Sequence, residues 1–424
     1  LAGDPLSGSA LVGTGTATGY QPGVQAWYNQ FLTVDPANRD HVWAGLEEVF
    51  ETKDAGSHWS AVSPYWNFYF PCWNLSDSKN TCPLAGHPDQ HSVTVGTAGG
   101  NPVVFFGNDG GVYRRPVNGT VNANGNATDL VSMSADGTMD ALQYYSVSVG
   151  RDTKNGSGVV VSGGLQDNGA WTGPSRTREP AGIMNDDWRM VSFGDGFYIL
   201  NNPDNPELYV SESQGGNILR TDFQTREQQE INPWGRGSGA GPALGEKFRF
   251  NWNAPVVLSP HDKNTLYFGG NVVFKSTDFG KTWEQISKDL TTNDPAKQKD
   301  AGGPVAFENS TAEYHTTIIS LAESPIKKGL IWAGTDDGNL QLTNDGGKDW
   351  DNIVRSVAGV PANSPVSHIE PSRVNAETAY VAFDRHMFDD FRPYIFRTSD
   401  GGRSWQNVAG NLPATAYVQV VSED

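Results

Sequence analysis

Short apolar segments rich in aromatic and β-branched residues recur along the chain, most of them ending near a glycine or serine. Runs of this length and composition predict β-strands, because such side chains fit a pleated, half-buried surface. Turns containing proline precede several of them, where a missing amide donor is tolerated. The seven clearest segments are VWAGLE (42–47), VVFFGND (103–109), VVVSGGL (159–165), ELYVSES (207–213), TLYFGGN (265–271), LIWAGTD (330–336) and TAYVAFD (378–384).

A second pattern, Ser/Thr-x-Asp-x-Gly-x-x-Trp, marks the same repeat. Asp345 and Asp400 are 55 positions apart, and Asp54 and Asp278 are 224 apart, four times 56. Aspartate and hydroxyl side chains cap backbone amides in a turn, and glycine permits a positive φ. We therefore expect a structural role for these aspartates, with the tryptophan packed beneath the turn. The four copies are Thr52–Trp59, Ser276–Trp283, Thr343–Trp350 and Thr398–Trp405, and a weakened copy lies at Arg220–Asp222.

A repeat of roughly 50–60 residues suits a four-stranded propeller blade. The sequence therefore predicts an all-β fold, a single β-propeller of seven four-stranded blades that forms one domain. Eight blades are the alternative, with residues 1–20 and 412–424 sharing a partial closing blade, or the chain is part of a longer repeat protein. The predicted blades are 27–63, 91–132, 142–175, 188–226, 250–288, 314–353 and 366–408.

The aspartate motif resembles the Asp-box, or BNR repeat, of sialidases, of xyloglucan-cleaving endoglucanases and of the sortilin-type receptor propeller. The stretches SPHDKNTLYFGGNVVFKSTDFGKTW, ESPIKKGLIWAGTDDGNLQLTNDGGKDW and GGLQDNG resemble large secreted bacterial propellers described as glycosyl-hydrolase-like. The resemblance covers nearly the whole chain and implies a propeller with either an enzymatic or a receptor function. FRPYIF at 391–396 matches the sialidase arginine motif only loosely and falls in the last blade, and a single propeller lacks the cleft of the xyloglucan-cleaving enzymes.

Charge and composition exclude several function classes. The formal net charge of −18 argues against nucleic acid and anionic membranes as partners. No P-loop, dinucleotide fingerprint or serine-hydrolase elbow is present. We expect a secreted monomer that acts on a polysaccharide or another glycan. Cys72 and Cys82 either form a small disulfide, which suits an oxidising compartment, or remain two thiols.

The predicted site lies on the face opposite the aspartate-motif turns, where the hairpins between second and third strands meet the loops that lead into first strands. Glycoside cleavage uses two carboxylates, about 5 Å apart for retention and about 6.5–9.5 Å apart for inversion. Asp167 with Asp195 is the first candidate pair, and Glu48 with Asp109 is the second. The alternative is that these aspartates cap glycine-containing turns.

Aromatic and polar residues on the same face are candidates for substrate binding. Aromatic rings can stack on the apolar faces of sugars, although the insertion PYWNFYFPCW at 64–73 can instead pack a small core of its own. The predicted substrate-binding residues are Trp66, Trp73, Tyr144, Trp252, Asn253 and His315.

The sequence HPDQH also suggests a metal site. An extended segment would place His87, Asp89 and His91 on one side as ligands for a divalent metal. Hydrogen-bonded loop histidines without metal are the alternative, and we expect no other cofactor.

Three functions follow from these patterns. The first is a glycoside hydrolase that uses two face carboxylates, with a lyase using His315 and Tyr314 or Tyr144 as an enzymatic variant. The second is a propeller that binds peptide or glycan without chemistry. The third is a structural domain of a larger surface protein.

Overall fold

The structure is a computed structural model that describes residues 30–46, 48–63, 86–121, 127–133, 142–152, 158–235, 246–299, 301–302, 307–308 and 314–424. It contains seven four-stranded antiparallel sheets and one two-stranded sheet. Seven sheets of four sequential strands are the architecture of a seven-bladed β-propeller, which confirms the predicted fold class. In the described residues no helix is long and apolar enough to cross a membrane. The short 3₁₀ turns described are Asn185–Asp187, Gln214–Gly216, Pro295–Lys297, Val354–Ser356 and His386–Phe388.

The chain divides into two compact units. Unit one comprises residues 1–142 with 301–308, and unit two comprises residues 143–300 with 309–424. Unit one holds two four-stranded sheets, in which the strands follow one another in chain order. Sheet one consists of β1 Phe31–Asp35, β2 Asn38–Gly45, β3 Val49–Thr52 and β4 Ser60–Ser63. Sheet two consists of β5 Gln90–Ala98, β6 Asn101–Asn108, β7 Gly111–Pro116 and β8 Val131–Ser132.

Unit two holds the other five four-stranded sheets. Sheet three consists of β9 Tyr144–Arg151, β10 Val159–Leu165, β11 Gly169–Pro174 and β12 Arg189–Ser192. Sheet four consists of β13 Gly196–Asn201, β14 Leu208–Ser213, β15 Asn217–Asp222 and β16 Glu227–Glu230. Sheet five consists of β17 Val256–Leu258, β18 Leu266–Gly269, β19 Val273–Ser276 and β20 Glu284–Gln285.

The last two sheets of unit two follow a short hairpin that belongs to unit one, β21 Ala301–Gly302 with β22 Phe307–Glu308. Sheet six consists of β23 Ile318–Glu323, β24 Ile331–Thr335, β25 Leu340–Thr343 and β26 Asp351–Asn352. Sheet seven consists of β27 His368–Pro371, β28 Ala379–Phe383, β29 Tyr394–Thr398 and β30 Gln406–Asn407.

One boundary differs from the sequence prediction. The segment 188–192 was predicted to open the fourth blade, yet β12 pairs with β11 as the outer strand of sheet three, with Ala170 opposite Ser192. Sheet three has no aspartate motif between its third and fourth strands, so no sequence motif marked its fourth strand. The fourth sheet begins instead at Gly196.

Burial explains why the second strands were the clearest in the sequence. Every residue of β14, β18 and β24 is buried, because neighbouring sheets cover both of their faces. Both faces of such a strand must be apolar or hydrogen-bonded, which gives near-continuous hydrophobic runs. The fourth strands β20, β26 and β30 are exposed and polar.

The aspartate-motif turns form the same hydrogen bonds in all four copies. The Ser/Thr hydroxyl donates to the aspartate Oδ1 at 2.8 Å each time. The glycine amide donates to that hydroxyl oxygen at 2.8–3.1 Å. In the turn of sheet seven the Ser404 hydroxyl and amide hold the pKa of Asp400 at about 2. These aspartates are therefore fully engaged in turn structure, as the sequence predicted, whereas Asp222 only caps the amides of Gln224 and Thr225.

The turns of sheets five and six also fasten each of these sheets to the preceding one. Trp283 Nε1 donates to the Ile231 carbonyl at 2.6 Å, and Trp350 Nε1 donates to the Ile286 carbonyl at 3.1 Å. The glycine of the turn lies against the same isoleucine, so a Cβ on Gly347 would lie 2.8 Å from the Ile286 carbonyl oxygen. We call this contact the inter-sheet latch. It joins sheets four to five and five to six.

Unit one buries a charged network around His41, whose side chain is 3% exposed. Its Nδ1 lies 3.2 Å from Asp35 Oδ2 and its Nε2 lies 2.8 Å from Glu51 Oε1. Both ring nitrogens therefore lie within hydrogen-bonding distance of a buried carboxyl group. Arg115 contacts the other oxygen of Glu51 at 3.3 Å. Asp35, His41, Glu51 and Arg115 thus form a connected network of buried polar contacts in unit one.

The strand register places two kinds of loop at one edge of the sheets. In sheet six, Ile318 at the start of β23 pairs with Thr335 at the end of β24. The loop leading into a first strand therefore lies beside the hairpin that follows the second strand. We call this side of unit two the hairpin edge; the aspartate-motif turns lie at the other end of the third strands.

The predicted closing blade is described only in part. Residues 1–20 lie outside the described residues, and no strand forms within 412–424. This C-terminal segment instead runs beside β27, where Ser367 Oγ donates to the Val418 carbonyl at 3.3 Å and Ser372 Oγ donates to Glu423 at 2.9 Å.

Candidate functional site

Asp195 is the centre of a hydrogen-bonded cluster at the hairpin edge between sheets three and four. It directly precedes β13 and is 6% exposed. Its Oδ1 accepts from Gln166 Nε2 at 2.5 Å and from the Asp167 amide at 3.0 Å. Its Oδ2 accepts from Gln214 Nε2 at 2.5 Å. Three donors from two hairpins thus fix the carboxylate.

The cluster brings together the first predicted pair of acids. Gln166 Nε2 lies 3.0 Å from Asp167 Oδ1 and 2.5 Å from Asp195 Oδ1, so these two oxygens are no more than about 5.5 Å apart. This upper limit excludes the wider spacing of about 6.5–9.5 Å found in inverting glycosidases and leaves the closer spacing of retaining enzymes. Asp167 has φ = 60°, a conformation that Asp and Asn adopt more readily than other side chains. Two carboxylates from neighbouring sheets therefore lie close together at one edge.

Aromatic rings border this cluster. The Tyr145 hydroxyl donates to Gln166 Oε1 at 2.5 Å, and its ring centroid lies 4.5 Å from that of Phe197. Trp252 packs edge-on against Phe197 at 6.0 Å. Burial, together with the charges of Asp195 and Asp167, raises the pKa of Tyr145 to about 12, so this phenol stays protonated.

Tyr144, the predicted binding residue, lies at the start of β9, opposite Leu165. Gly164 pairs with Ser146 whereas Leu165 pairs with Tyr144, so Tyr145 is the additional residue of a β-bulge. The Tyr144 ring lies over Gly163, where an added Cβ would be 2.5 Å from the ring, and the side chain is 47% exposed. It offers an open aromatic surface beside the cluster.

Glu212, which the predicted site did not include, lies beneath the cluster. It is fully buried at the end of β14, and its Oε1 accepts from the Ala254 amide at 3.2 Å. Burial, opposed by backbone hydrogen bonds and reinforced by the charge of Asp195, raises its pKa well above the usual range. The position of Glu212 at the end of a second strand was the signal in the sequence, since polar residues lie at the ends of most second strands. Trp252 and Asn253, two predicted binding residues, are half-buried in the adjoining loop.

A second cluster lies farther along the hairpin edge. Asp336 accepts from the Thr317 amide at 3.0 Å and from the Thr317 hydroxyl at 2.7 Å. Asn251 donates to the same hydroxyl at 3.1 Å, so the loop that contains Trp252 touches both clusters. His315, predicted to bind substrate, lies with its Nδ1 4.0 Å from Asp336 Oδ1.

The second predicted acid pair is less suited to catalysis. Glu48 is 0% exposed in sheet one, so its carboxylate is not accessible to a substrate. Asp109 follows β6 and lies 2.5 Å from His91 Nε2. The role of Glu48 as a catalytic acid stays a prediction, and the burial of its side chain disfavours it.

The predicted metal ligands do not converge. β5 begins only at Gln90, and Asp89 has φ = 63°, so the segment is not extended as the alternation required. The ligating atoms of His87, Asp89 and His91 do not all lie within 4.8 Å of one another. His87 Nδ1 instead lies 3.2 Å from the Pro88 carbonyl oxygen. Trp66 and Trp73, with Cys72 and Cys82, lie outside the described residues.

The known proteins that are similar to this chain are remote from it in sequence. No family model and no curated protein sequence match the chain. Similar solved structures include the GH74 xyloglucanase from Xanthomonas campestris, at 13% identity over 91% of this chain and 55% of that chain, with a TM-score of 0.36. Sqt1 from Chaetomium thermophilum matches at 13% identity over 90% of this chain and 84% of its own, with a TM-score of 0.38. YCF48 from Cyanidioschyzon merolae matches at 10% identity over the same shares, 90% and 84%, with a TM-score of 0.34.

The chain spans 55% of the length of that xyloglucanase and 66% of a second GH74 enzyme, from Niastella koreensis. Likeness at such identities concerns the fold alone. The propeller assignment rests on the seven four-stranded sheets of the chain itself.

Proposed function

We propose that the protein is a secreted, carbohydrate-active propeller that cleaves a polysaccharide at the hairpin edge of unit two, with Asp167 and Asp195 as its two carboxylates. The observation that supports this most is the separation of their oxygens, no more than about 5.5 Å. In retaining hydrolysis one carboxyl group donates a proton to the leaving oxygen while the other attacks the sugar carbon. Asp195, fixed by three donors, suits the group that stays ionised, and Asp167 suits the proton donor.

Aromatic and amide side chains that can bind a sugar lie around the two carboxylates. Tyr144 presents an exposed ring, and Trp252 lies half-buried next to the cluster. Rings in such positions bind the apolar faces of pyranoses, while amides such as that of Asn253 bind hydroxyl groups. The net charge of −18 disfavours strongly anionic polymers, so a neutral polysaccharide is the proposed substrate class.

The test is release of soluble sugar from a panel of neutral polysaccharides by wild type and Asp167→Asn. Asparagine tolerates the positive φ at this position, so the substitution removes a carboxylate without straining the turn. Loss of an acid–base group lowers turnover by about 10²–10⁴-fold. Asp351→Asn is the matched control, because it removes an exposed acid from the outer strand of sheet six. Equal turnover in wild type and both variants would contradict the proposed roles.

A binding propeller without chemistry is the second candidate. It is favoured by the hydrogen bonds at Asp195, where both oxygens already accept from N–H donors and the group is tied into the framework. Under this alternative no polysaccharide is cleaved, affinity for glycan persists in Asp167→Asn, and Trp252→Ala lowers it. Isothermal titration with oligosaccharides alongside the release assay separates the two functions.

A further inference from the structure

Two clefts of similar composition lie where aspartate-motif turns meet the outer strands of the preceding sheets in unit two. The first has a volume of about 780 Å³ and lies between sheets four and five, and the second has a volume of about 630 Å³ and lies between sheets five and six. We call them the latch clefts. The residues used below are Arg220, Gln229, Ile231, Lys281 and Trp283 in the first cleft and Lys275, Glu284, Ile286, Lys348 and Trp350 in the second.

The strand register shows that the two latch clefts are equivalent. Arg220 on β15 pairs with Gln229 on β16, and Lys275 on β19 pairs with Glu284 on β20. In both sheets the latch isoleucine lies two positions after the second residue of this pair, and in both following turns a lysine lies two positions before the latch tryptophan. Each cleft therefore combines a cation from one sheet with a lysine and an indole ring from the next sheet.

The inter-sheet latch fixes the two walls of each cleft. Trp283 and Ile231 both line the first cleft and are joined by the hydrogen bond of 2.6 Å from the indole to the carbonyl. Trp350 and Ile286 line the second cleft and are joined in the same way at 3.1 Å. The walls are thus held in place before a ligand arrives, which lowers the entropic cost of binding.

The first cleft contains a donor without a partner. The Nε of Arg220 is buried and makes no hydrogen bond to the described residues. A buried donor in this state is costly, so a ligand that brings an acceptor to the arginine would gain affinity from it. Lys281, on the opposite sheet, has an exposed side chain that can reach the same ligand.

The charges of the lining residues indicate the class of ligand. Asp222 and Glu227 line the first cleft beside its two cations, and Glu284 and Asp349 line the second. A small cation or anion would meet groups of its own sign in either cleft, whereas sugar hydroxyl groups both donate and accept hydrogen bonds. The apolar C–H face of a pyranose can also pack on the indole ring. Both volumes are within the range of about 300–1,000 Å³ that is usual for ligand sites.

We propose that the latch clefts are two equivalent sites that bind pyranose units of a neutral glycan outside the hairpin edge. The inference goes beyond the proposed function, because these clefts bind glycan whether or not the hairpin edge cleaves it. Two sites on one chain hold a polymer with greater avidity than either site alone.

The test is isothermal titration of cellohexaose, mannohexaose and laminarihexaose into the Asp167→Asn/Trp252→Ala protein, in which cleavage and binding at the hairpin edge are both impaired. We expect two molecules of at least one hexasaccharide to bind per chain. Adding Arg220→Gln and Lys281→Gln should raise the Kd of one site at least tenfold and leave the other site unchanged.

The second cleft is tested in the same way with Lys275→Gln and Lys348→Gln, and all four substitutions together should abolish binding. Arg397→Gln is the matched control, because Arg397 pairs with Gln406 at the same strand position in sheet seven, which no further sheet follows along the chain. Thermal unfolding monitored by circular dichroism shows whether each protein is folded. The single variants Lys281→Gln and Lys348→Gln change only exposed side chains and should each weaken one site.

Three results would overturn the inference: no binding of any hexasaccharide, stoichiometry and Kd unchanged by both pairs of substitutions, or an equal loss in Arg397→Gln. The proposed function is decided separately by the release assay. Cleavage by wild type without binding at the latch clefts refutes this inference alone, and binding there without cleavage supports it while contradicting the proposed function.

Discussion

The two adjacent glycines in the turn of sheet six offer a direct test of the inter-sheet latch. Gly346 and Gly347 both have positive φ, 80° and 102°. A Cβ on Gly346 would meet no atom within 4 Å, whereas a Cβ on Gly347 would lie 2.8 Å from the Ile286 carbonyl oxygen and 2.9 Å from its Cβ. Alanine at either position is strained by the positive φ, but only the added Cβ at Gly347 also contacts the preceding sheet.

The expected magnitudes follow from these distances. A non-glycine residue in the left-handed region costs about 1–2 kcal/mol, which applies to both substitutions. Overpacking against a part of the structure that cannot rotate away adds about 1–3 kcal/mol, and this applies to Gly347→Ala alone. The added Cβ meets the carbonyl oxygen, the Cβ and the Cδ1 of Ile286, and only the Cδ1 can move away by a change of rotamer. We therefore expect Gly347→Ala to be the more destabilising by about 1–3 kcal/mol.

Urea unfolding followed by circular dichroism, together with calorimetry, measures this difference. A cost of 1 kcal/mol lowers Tm by roughly 2–4 °C in domains of 150–250 residues and by less in larger proteins, so the two variants should differ by about a few degrees. The turn of sheet seven provides a graded comparison. Gly402 faces the movable Cδ1 of Ile353 at 2.7 Å, so Gly402→Ala should cost less than Gly347→Ala. Equal destabilisation by Gly346→Ala and Gly347→Ala would refute the latch as a stabilising contact.

Two further predictions concern charged groups. His41→Ala removes the side chain that contacts both buried Asp35 and buried Glu51, so it should destabilise the protein by about 3–5 kcal/mol in urea unfolding. His58→Ala removes an exposed pair with Asp54 and should destabilise the protein far less, and similar costs would show that the buried network is not stabilised by His41. The pKa of Asp336 is raised from 3.8 to about 7, so its contribution to stability is fully present below pH 3.8 and is lost as the pH rises to about 7. Asp336→Asn should remove that decline in unfolding free energy between pH 4 and pH 7, and an unchanged pH profile would contradict the burial argument.

The repeat was readable from the sequence because each sheet repeats the same local requirements. The buried second strands needed near-continuous apolar runs, and the turns of four sheets needed the same hydroxyl, aspartate and glycine. Where the turn chemistry is missing, in sheet three, the prediction assigned Arg189–Ser192 to the wrong sheet. The aspartate motif thus located the boundary between third and fourth strands only in the sheets that contain it.

The site was predictable only in part. The approach of Asp167 to Asp195 followed from topology, since both come from loops at one edge. The choice between Tyr144 and Tyr145 depended on a bulge opposite Gly164, which alternation of side chains does not reveal. Gln214 and Glu212 were missed because their roles depend on hydrogen bonds to loops about 20 to 40 positions away along the chain, at Asp195 and Ala254.

The inter-sheet latch also bears on how such a chain can lengthen or shorten over evolutionary time. One repeat, that of sheet five, contains parts of two latches. Its Gly280 and Trp283 contact Ile231 of the preceding sheet, and its Ile286 accepts the hydrogen bond from Trp350 of the following sheet. Duplication of that repeat would therefore copy both halves of the joint, and the new copy could fasten to its neighbours without compensating substitutions. Deletion would likewise leave matching halves facing each other. Repeats that carry this joint can thus be gained or lost by recombination, while the isoleucine, glycine and tryptophan that form it are constrained.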